Sequence, residues 1–399
     1  MRILHSQNIE TFSKALLMEK TPLWLGLFVY TFYQNSCGYI PPEPPPDLFY
    51  RYTTLQAADG PSDILAHDLN LDNSVDLIIA NMRGHVATLY YGEGDGSFSN
   101  RSDLKVLPEP SKVVSADLNR DGLPDIVLNS RGANALSILT GTSGGFFSPT
   151  KALKTGKVPL DIILEDFNHD GLLDAAVTLT FHKMEIHLGT GLGTFKQGET
   201  YLTGSRSNSG VSADFNEDGN PDIALAVTSP AASSIRIFAG LGDGTFREIK
   251  RLAKGQKPLA LATNDMNEDG HMDLLTATGT HDNMIMSLGN GNGTFREPID
   301  FSGGGGPLDL TINHFNGDGL LDVAVVNSRS SSFSIIYQKK NGSFRYPSRD
   351  YIVDGGSPIA ITSADFNNDG MADIAVSSDA NNTVEVFLQK REQKTNLVN

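Results

Sequence analysis

Short apolar runs recur along the chain after about residue 48, and each has the length and composition of a β-strand. In the third of these units, runs at residues 160–164, 175–179 and 184–188 are followed by a glycine-rich turn and a fourth run near Tyr201. Short runs bounded by Gly, Asn and Asp are typical of strands, and no segment has the 3.6-residue period of an amphipathic helix. The pattern therefore predicts an all-β chain with four short antiparallel strands in each unit.

The turn between the first and second strand of each unit carries one motif, Asp-x-Asn-x-Asp-Gly-x-x-Asp, with local variations. Its copies begin at residues 68, 117, 166, 214, 265, 314 and 365, so the spacing is 48–51 residues. A fixed spacing of roughly 20–50 residues indicates a solenoid, a propeller or an array. Seven units of four antiparallel strands are typical of a seven-bladed β-propeller, and the sequence predicts this fold.

A second repeated turn lies between the third and fourth strands, at residues 92–98, 189–195, 240–246 and 289–295. Its glycines supply the positive φ angles that a tight hairpin requires. The turn ends in Phe, and we expect this side chain to pack between neighbouring sheets.

The two ends of the repeat region complement each other. The last unit has strand-like runs at residues 359–363, 374–377 and 383–388 but no fourth run, whereas residues 48–55 form an extra run before the first unit. The extra run is similar to residues 344–351, which lie at the fourth-strand position of the sixth unit. We therefore predict that the N-terminal strand completes the last blade and closes the ring, which leaves only short, protected strand edges.

The N-terminal segment differs from the repeats and predicts export. Residues 23–32 are mostly apolar, and Lys20 precedes them; this pattern is typical of a secretory signal and too short to span a bilayer comfortably. Cys37 lies where a bacterial lipoprotein would be lipidated, so the alternatives are a cleaved signal and membrane anchoring through Cys37. The expected location is extracellular, periplasmic or membrane-anchored at the cell surface.

The predicted organisation has four parts. They are a signal peptide over residues 1–37, a Pro-rich linker over 38–47, the propeller over 48–390 and a polar tail over 391–399. A proline-rich linker adopts an extended polyproline II conformation and acts as a semi-rigid spacer. We expect the protein to be a monomer.

The net charge and the cysteine content exclude some classes of function. The 399 residues carry a formal net charge of -16, and nucleic-acid binding is not expected because it requires clusters of Lys and Arg. Much of the acidity lies in the repeated loops, where a bound cation would neutralise it. A single cysteine excludes a disulfide within the chain.

The repeated loops place side-chain oxygens at positions 1, 3, 5 and 9 and a glycine at position 6. This spacing is typical of a loop that binds a hard cation such as Ca²⁺, with the backbone carbonyl of position 7 as a further ligand. A turn rich in Asp and Asn without a metal is the alternative, but it does not require an acid at position 9 in all seven copies. The candidate calcium ligands are Asp68, Asn70, Asp72, Ser74 and Asp76; Asp117, Asn119, Asp121, Leu123 and Asp125; Asp166, Asn168, Asp170, Leu172 and Asp174; Asp214, Asn216, Asp218, Asn220 and Asp222; Asp265, Asn267, Asp269, His271 and Asp273; Asn316, Asp318 and Asp322; and Asp365, Asn367, Asp369, Met371 and Asp373.

Two loops depart from the motif. Asn73 replaces glycine at position 6 of the first loop, and because Asn tolerates the left-handed conformation, we expect this site to bind calcium. His314 replaces the first Asp of the sixth loop, and imidazole suits zinc or copper better than calcium. We predict that the sixth site is weak or empty.

The loops and their spacing resemble those of the FG-GAP and VCBS repeat proteins, whose relatives include the α-subunit propellers of integrins. The resemblance covers roughly residues 48–390, and the literal Phe-Gly and Gly-Ala-Pro signatures are not evident in this chain. The match is therefore closest to the VCBS type, and no integrin-specific function is carried over. The resemblance implies a β-propeller with calcium between the first and second strand of each blade.

The two faces of the predicted ring differ in charge. The metal loops and glycine-rich turns share one acidic face, and basic residues collect on the other: Arg83, His85, Arg131, His182, Lys183, Arg206, Lys254, Lys257, His281 and Arg329. This segregation favours the opposite face as the surface for a protein or glycan ligand, and ordinary solvated loops are the alternative.

These observations predict an exported, calcium-binding adhesion or scaffold module with structural calcium. One alternative is a carbohydrate-binding lectin, although the loops between the second and third strands differ in every repeat, which favours a single composite site. The other alternative is a polysaccharide lyase or hydrolase with a site at the channel mouth. The sequence itself contains no catalytic constellation, but such groups can be gathered from several blades.

Overall fold

The computed structural model describes residues 47–229, 233–252, 257–279, 282–340, 342–345 and 348–390. The chain divides into two compact units, Met1–Pro44 and Pro45–Asn399, and all described strands belong to the second. Within the described ranges there is no helix that could cross a lipid bilayer. The predicted signal segment, Cys37, residues 38–46 of the linker, the polar tail, Lys254 and His281 lie outside these ranges.

The described part of the chain contains twenty-eight strands. In chain order they are β1 (Phe49–Gln56), β2 (Pro61–His67), β3 (Asp76–Asn81), β4 (Val86–Gly92), β5 (Phe98–Lys105), β6 (Pro110–Ala116), β7 (Asp125–Ser130), β8 (Ala135–Thr142), β9 (Phe146–Lys154), β10 (Pro159–Glu165), β11 (Asp174–Leu179), β12 (Lys183–Gly189), β13 (Phe195–Leu202), β14 (Arg206–Ala213), β15 (Asp222–Thr228), β16 (Ser234–Gly240), β17 (Phe246–Leu252), β18 (Pro258–Asn264), β19 (Asp273–Thr278), β20 (Asn283–Ser287), β21 (Ile299–Ser302), β22 (Pro307–Asn313), β23 (Asp322–Asn327), β24 (Ser332–Ile336), β25 (Arg349–Ile352), β26 (Pro358–Ala364), β27 (Asp373–Ser378) and β28 (Thr383–Gln389).

These strands form seven four-stranded antiparallel sheets, so the predicted seven-bladed propeller is confirmed. Six blades consist of four consecutive strands, from β2–β5 to β22–β25. The seventh contains β26, β27 and β28, and its fourth strand is β1, which pairs antiparallel with β28. The prediction that the N-terminal strand closes the ring is therefore also confirmed.

The closing strand is fixed by side chains as well as by backbone pairing. The Tyr351 hydroxyl accepts the Leu48 N–H at 3.0 Å, and Lys390 N–H donates to the Leu48 carbonyl at 2.6 Å. The buried Phe49 ring packs edge-on against Phe315 and Tyr351, with centroids 5.9 and 5.5 Å apart. A fully buried Phe contributes about 1.5–3 kcal/mol, so this one side chain adds appreciably to closure.

The first strands of the seven blades contact one another in a closed ring and line a central channel. The second strands lie immediately outside them, and in β3, β7, β11, β19, β23 and β27 every residue is buried. Alternate residues of these strands face the two neighbouring blades, which explains why the runs are apolar throughout.

The Phe at the end of the glycine-rich turn packs against the preceding blade, as predicted. Phe98 lies edge-on to Phe366, and Phe246 lies edge-on to Phe167, with centroids 5.6 and 5.2 Å apart. The glycine that begins the turn is required by a close backbone approach. A Cβ at Gly141 would lie 2.3 Å from the Pro124 carbonyl oxygen.

Candidate metal loops and the opposite channel mouth

The position-9 carboxylate of every loop is fully buried and joins the loop to the third strand of its own blade. Its Oδ2 accepts the N–H of position 2 at 2.8–3.1 Å. Its Oδ1 accepts an N–H at or near the end of the third strand at 2.7–2.9 Å. The seven residues are Asp76, Asp125, Asp174, Asp222, Asp273, Asp322 and Asp373.

Burial raises the pKa of all seven of these carboxyl groups, while the two backbone hydrogen bonds oppose the shift. The pKa is about 6 for Asp76 and Asp174 and about 7 for Asp322 and Asp373. A nearby cation would favour the ionised form and counteract this effect.

The oxygens at positions 1, 3 and 5 accept hydrogen bonds from the backbone of their own loop. In the second loop, Asp117 Oδ2 accepts the N–H of Gly122 at 2.8 Å, and its Oδ1 accepts that of Asp121 at 3.2 Å. Asn119 Oδ1 also accepts the Asp121 N–H at 3.0 Å, and Asp121 Oδ1 accepts the N–H of Leu123 at 2.9 Å. The turn therefore gathers three oxygen-bearing side chains on its inner side.

The backbone turns sharply at two positions of each loop. At position 6, Asn73 has φ 67° and the six glycines have φ 76–88°, so the predicted left-handed conformation of Asn73 is confirmed. At position 4, six non-glycine residues have φ 54–61°. The motif did not reveal this second feature. This conformation costs a non-glycine residue about 1–3 kcal/mol, and residues strained in this way are frequent at ligand-binding sites.

The donor chemistry of the loops fits calcium. The side-chain ligands are carboxylate and amide oxygens, which hard cations prefer. In the third loop, Asp166 Oδ1 is buried and has no hydrogen-bond partner, as expected for an oxygen that would contact a cation. Among the described residues no three His, Cys, Asp or Glu side chains converge closely enough to hold a metal by themselves. Each candidate loop instead offers its carboxylates together with an asparagine and backbone oxygens.

The sixth loop is built differently around His314. Its Nδ1 is bonded to the Leu320 carbonyl at 2.9 Å, and Leu320 occupies position 7. The histidine thus takes the place of the expected Asp ligand at position 1, and its ring is bonded to the backbone carbonyl that would be the position-7 ligand. This arrangement agrees with the prediction of a weak or empty sixth site, which remains a prediction.

Residues at position 4 connect neighbouring loops. His169 is bonded through Nε2 to Asn220 Oδ1 of the next loop at 2.9 Å, and Arg120 donates to the Gly171 carbonyl. Glu217 pairs with His271 and raises the pKa of that imidazole. These contacts link the second, third, fourth and fifth loops in series.

A second set of bonds joins the blades inside the channel, at the third position of the first strands, or at the fourth position in β14. A side-chain oxygen there accepts a backbone N–H of the next blade in four cases: Asp63 from Val113 at 2.9 Å, Asp161 from Gly210 at 2.6 Å, Ser209 from Leu261 at 3.1 Å and Asp309 from Ile361 at 3.1 Å. Lys112 occupies this position in the second blade and donates to Asp63 Oδ1 at 3.1 Å. Burial raises the pKa of Asp161 to about 6, against the opposing charge of Lys112.

Three of the predicted basic residues meet at the channel mouth on the face opposite the metal loops. Arg83, Arg131 and Arg206 line a cavity of about 260 Å³. Arg83 is neutralised by Asp59 at 3.0 Å and Asp379 at 2.8 Å. The other two arginines form no ion pair with a carboxylate of any described residue.

His85 lies beside Arg83 and Arg131 in an adjoining cavity, and its Nδ1 accepts the Glu109 N–H at 3.0 Å. Two other predicted basic residues have partners elsewhere: Arg329 pairs with Asp282, and His182 Nδ1 is bonded to the Gly204 carbonyl at 2.9 Å. Lys183 and Lys257 are exposed. The basic face predicted from the sequence is thus mostly neutralised or solvated. Arg206 is exposed like Lys183 and Lys257, whereas Arg131 is partly buried and its Nε has no hydrogen-bond partner among the described residues.

A model of the FG-GAP-like repeat matches the chain five times, over residues 68–128, 117–177, 166–225, 214–276 and 314–376, which together exceed half of its length. The chain belongs to the FG-GAP-like repeat family. Each matched segment of this FG-GAP-like protein runs from one metal loop into the second strand of the following blade. The resemblance inferred from the loops is therefore confirmed.

Solved structures confirm the fold of the FG-GAP-like propeller. BBS1N in complex with ARL6DN, from crystals soaked with lead and with mercury, gives TM-scores of 0.59 and 0.60 at 10% and 9% identity; each match covers 86% of this chain and 98% of the other. A protein from Lactobacillus plantarum gives a TM-score of 0.58 at 12% identity, over 77% of this chain and 88% of that one. No curated protein sequence matches the chain.

The FG-GAP-like repeats also contain a groove that the sequence analysis missed. It lies between the first two blades, has a volume of about 640 Å³ and is lined by Tyr91, Asn100 and Phe146, among others. Phe146 is 71% exposed. The sequence does distinguish Phe146, because the equivalent turns of five other blades have Ser or Thr at this position. These residues are Ser97, Thr194, Thr245, Thr294 and Ser343.

Proposed function

We propose that this FG-GAP-like propeller is an exported, calcium-stabilised binding or scaffold module in which calcium has a structural role. The observation that carries the proposal is the repeated all-oxygen loop. It recurs in six of the seven blades and holds a non-glycine residue at position 4 of each in a strained conformation, and in the third loop the buried Asp166 Oδ1 has no partner. A cation supplies the missing interaction and offsets the repulsion between carboxylates.

Calcium would be held by the residues that the spacing predicts. In the second loop these are Asp117, Asn119, Asp121 and Asp125 through side chains and Leu123 through its carbonyl. When bound, calcium supplies positive charge and fixes the turn. The chain's own contribution is to pre-shape the loop through the Asp117 and Asp121 bonds to the backbone and to anchor it through Asp125.

Thermal unfolding of the full chain with calcium and with chelator tests this role. Asp121→Ala should reduce the calcium-dependent rise in Tm, because metal that binds only the folded state adds stability. Glu199→Ala is the matched control, since it removes one exposed carboxylate outside the loops. If Asp121→Ala and the parent respond equally to calcium, the second loop does not bind it.

The partner is proposed to be a protein or glycan that binds the face opposite the calcium loops. Loops on this face differ between blades, and variable loops on a rigid scaffold are frequent sites of recognition. The similar BBS1N structure is a complex with ARL6DN, so a propeller of this fold can serve as a binding module. No nucleic-acid role is proposed, because the net charge is -16.

Export and anchoring are proposed from the N-terminal sequence alone. Cell fractionation and metabolic labelling with a radioactive fatty acid test them, with Cys37→Ser as the variant. Loss of label and membrane association in Cys37→Ser, with export retained, supports a lipid anchor. Export of an unlabelled parent supports a cleaved signal, and retention of the parent in the cytosol contradicts both alternatives.

Carbohydrate recognition is the second candidate, and the Phe146 groove favours it. An exposed aromatic ring beside polar groups such as Asn100 and Ser102 suits a sugar, whose ring has an apolar face and hydroxyl groups. A glycan-array screen in excess calcium tests this. Phe146→Ser should abolish binding, whereas Phe181→Ser, which removes an exposed Phe from the opposite face, should not. A blank array for folded parent protein contradicts the lectin candidate.

The enzyme alternative expects acidic groups with shifted pKa values at the channel. Asp161 and Asp309 meet this expectation, since burial raises the pKa of both. Each, however, accepts a backbone N–H of the next blade, so a role in joining blades accounts for its placement. We therefore propose a binding module in preference to an enzyme.

A further inference from the structure

We propose that the channel mouth opposite the metal loops binds the carboxylate of an acidic side chain presented by a partner protein, through Arg131 and Arg206. This inference rests on the proposed function as a binding module and names the site and the chemistry that it recognises.

Neither arginine forms an ion pair with a carboxylate of the described residues, although Glu109 lines an adjoining cavity together with Arg131, and Arg206 is exposed to solvent. Arg131 Nε is buried without a hydrogen-bond partner, and the nearest acceptor of its Nη1 is the Met82 sulfur at 3.7 Å. Arg206 donates through Nε to Asn208 Oδ1 at 2.7 Å, which is a neutral partner. An unpaired buried donor is costly, and a guanidinium pairs best with a carboxylate or a similar oxyanion.

Arg131 and Arg206 differ from the nearby Arg83 and Lys112 in having no ion-pair partner among the described residues. Arg83 in the same cavity is already neutralised by Asp59 and Asp379, and Lys112 deeper in the channel is paired with Asp63. The chain as a whole has a net charge of -16. Arg131 and Arg206 are therefore cationic groups of this cavity without a carboxylate partner among the described residues, although Lys112 deeper in the channel faces three carboxylates, those of Asp63, Asp161 and Asp309. An incoming anion at the mouth would pair with the two arginines.

The size and lining of the cavity indicate what carries the anion. The cavity of about 260 Å³ adjoins a second one of about 390 Å³ that shares Met82, Arg83 and Arg131 with it, so the mouth has room for an acidic side chain and the residues that flank it in a partner protein. Met82, Leu160 and Ile359 also line it and would contact a short aliphatic stem such as that of Glu. No aromatic residue occurs among the described residues that line the cavity, so a flat surface for a sugar ring is missing there.

The blades supply a conservative variant for the test. Arg131 and Met82 occupy equivalent positions, since each donates its backbone N–H to the turn before the first strand of its own blade, to Glu109 at 3.0 Å and to Gly60 at 2.7 Å. Arg131→Met therefore introduces into the second blade the residue that the first blade has at the equivalent position. Arg206→Gln is the second variant, and Arg247→Gln removes an exposed arginine outside the mouth as the control.

The experiment measures fluorescence anisotropy of a labelled hexaglutamate peptide with the full chain in excess calcium, with hexaglutamine as the neutral peptide. Hexaglutamate should bind the parent and Arg247→Gln equally, and hexaglutamine should not bind. Arg131→Met and Arg206→Gln should each weaken binding about tenfold or more, because each removes a charged hydrogen bond. Arg131→Lys, which keeps the charge but loses the planar fork, should be intermediate.

Three results would overturn the proposal. They are no binding of hexaglutamate to folded parent, equal binding by Arg131→Met and the parent, and binding of trigalacturonate through these arginines without competition from hexaglutamate. The third result would assign the mouth to acidic glycans. The calcium-dependent Tm of the same samples separates the two proposals, since a lost calcium response contradicts the proposed function whatever the peptide does.

Discussion

The two faces of this ring differ in how strictly they repeat. On the metal face, seven nine-residue loops make the same position-9 hydrogen bonds, and most of them share the bonds of positions 1, 3 and 5. On the opposite face, the loops between the second and third strands contain three to five residues and differ in sequence. Repetition thus marks what every blade needs in order to fold, and variation marks where the surface is free to acquire a specific partner.

The largest expected effect comes from breaking the repeated face at position 9. Asp125→Ala removes the acceptor of two buried N–H groups, those of Leu118 and Gly141. Each unsatisfied group costs about 1–3 kcal/mol, so the free energy of unfolding should fall by about 2–6 kcal/mol. Urea denaturation measures it.

The matched change on the opposite face is Asp59→Ala, which removes the exposed partner of Arg83. Exposed ion pairs are worth about 0–1 kcal/mol, so this variant should remain within that range of the parent. An equal loss for Asp59→Ala and Asp125→Ala would mean that position 9 has no special structural role.

The second prediction sharpens the comparison within the metal face. His314→Asp restores the missing first ligand and frees the Leu320 carbonyl. The variant should bind one more calcium ion than the parent in isothermal titration calorimetry. At a calcium concentration about 100 times Kd, it should gain about 2–3 kcal/mol relative to chelator. Unchanged stoichiometry would show that the sixth loop either already binds calcium or cannot do so.

Much of this architecture could be predicted from the sequence because its signals are local and repeated. The loop spacing predicted seven blades, and the orphan run at residues 48–55 predicted the closing strand, which is observed at Phe49–Gln56. The acid at position 9 was recognised in every copy. Its bond to the end of the third strand, 15–18 residues away, was not, because the motif shows which residues recur but not which backbone groups they meet.

The contacts between blades could not be predicted for a similar reason. Asp161 looks like an isolated charge in a strand, and its partner Gly210 is 49 residues away. In the same way, Gln338 and Gln389 stand where the other five blades have glycine, and each donates through Nε2 to a carbonyl of the preceding blade, that of Met266 at 2.7 Å and that of Phe315 at 2.9 Å. The structural role of such residues cannot be predicted from the sequence, because their hydrogen-bond partners lie in the neighbouring blade.

The third prediction concerns the channel, which lies between the two faces. Burial raises the pKa of Asp161 from 3.8 to about 6, so the folded protein resists its ionisation. A carboxyl group whose folded pKa is raised lowers stability as the pH rises from about 4 to 6, and the penalty persists above pH 6. Asp161→Asn keeps an acceptor for Gly210 and removes the charge. At pH 7.5 it should be about 1–2 kcal/mol more stable than the parent, because a raised pKa costs about 1.4 kcal/mol per unit and the cost of burying the neutral Asn amide offsets part of the gain.

Urea denaturation at pH 7.5 and pH 5 checks the sign of this effect. At pH 5 Asp161 is largely protonated in the parent, so the advantage of Asp161→Asn should shrink. A variant that is less stable than the parent at pH 7.5 would show that the pairing of Asp161 with Lys112 outweighs the cost of burial.

The smallest predicted effects compare two arginines on opposite faces. Arg120 lies at position 4 of the second metal loop and donates to the Gly171 carbonyl of the third, whereas Arg329 forms an exposed pair with Asp282. Arg120→Gln should cost about 0.5–1.5 kcal/mol, since it breaks a charged hydrogen bond between blades. Arg329→Gln should cost less than about 0.5 kcal/mol, because solvent screens its ion pair. Thermal unfolding in calcium measures both. A larger cost for Arg329→Gln than for Arg120→Gln would contradict this prediction. Stability would then depend more on the variable face, and that face would be less free to change its sequence to suit a partner.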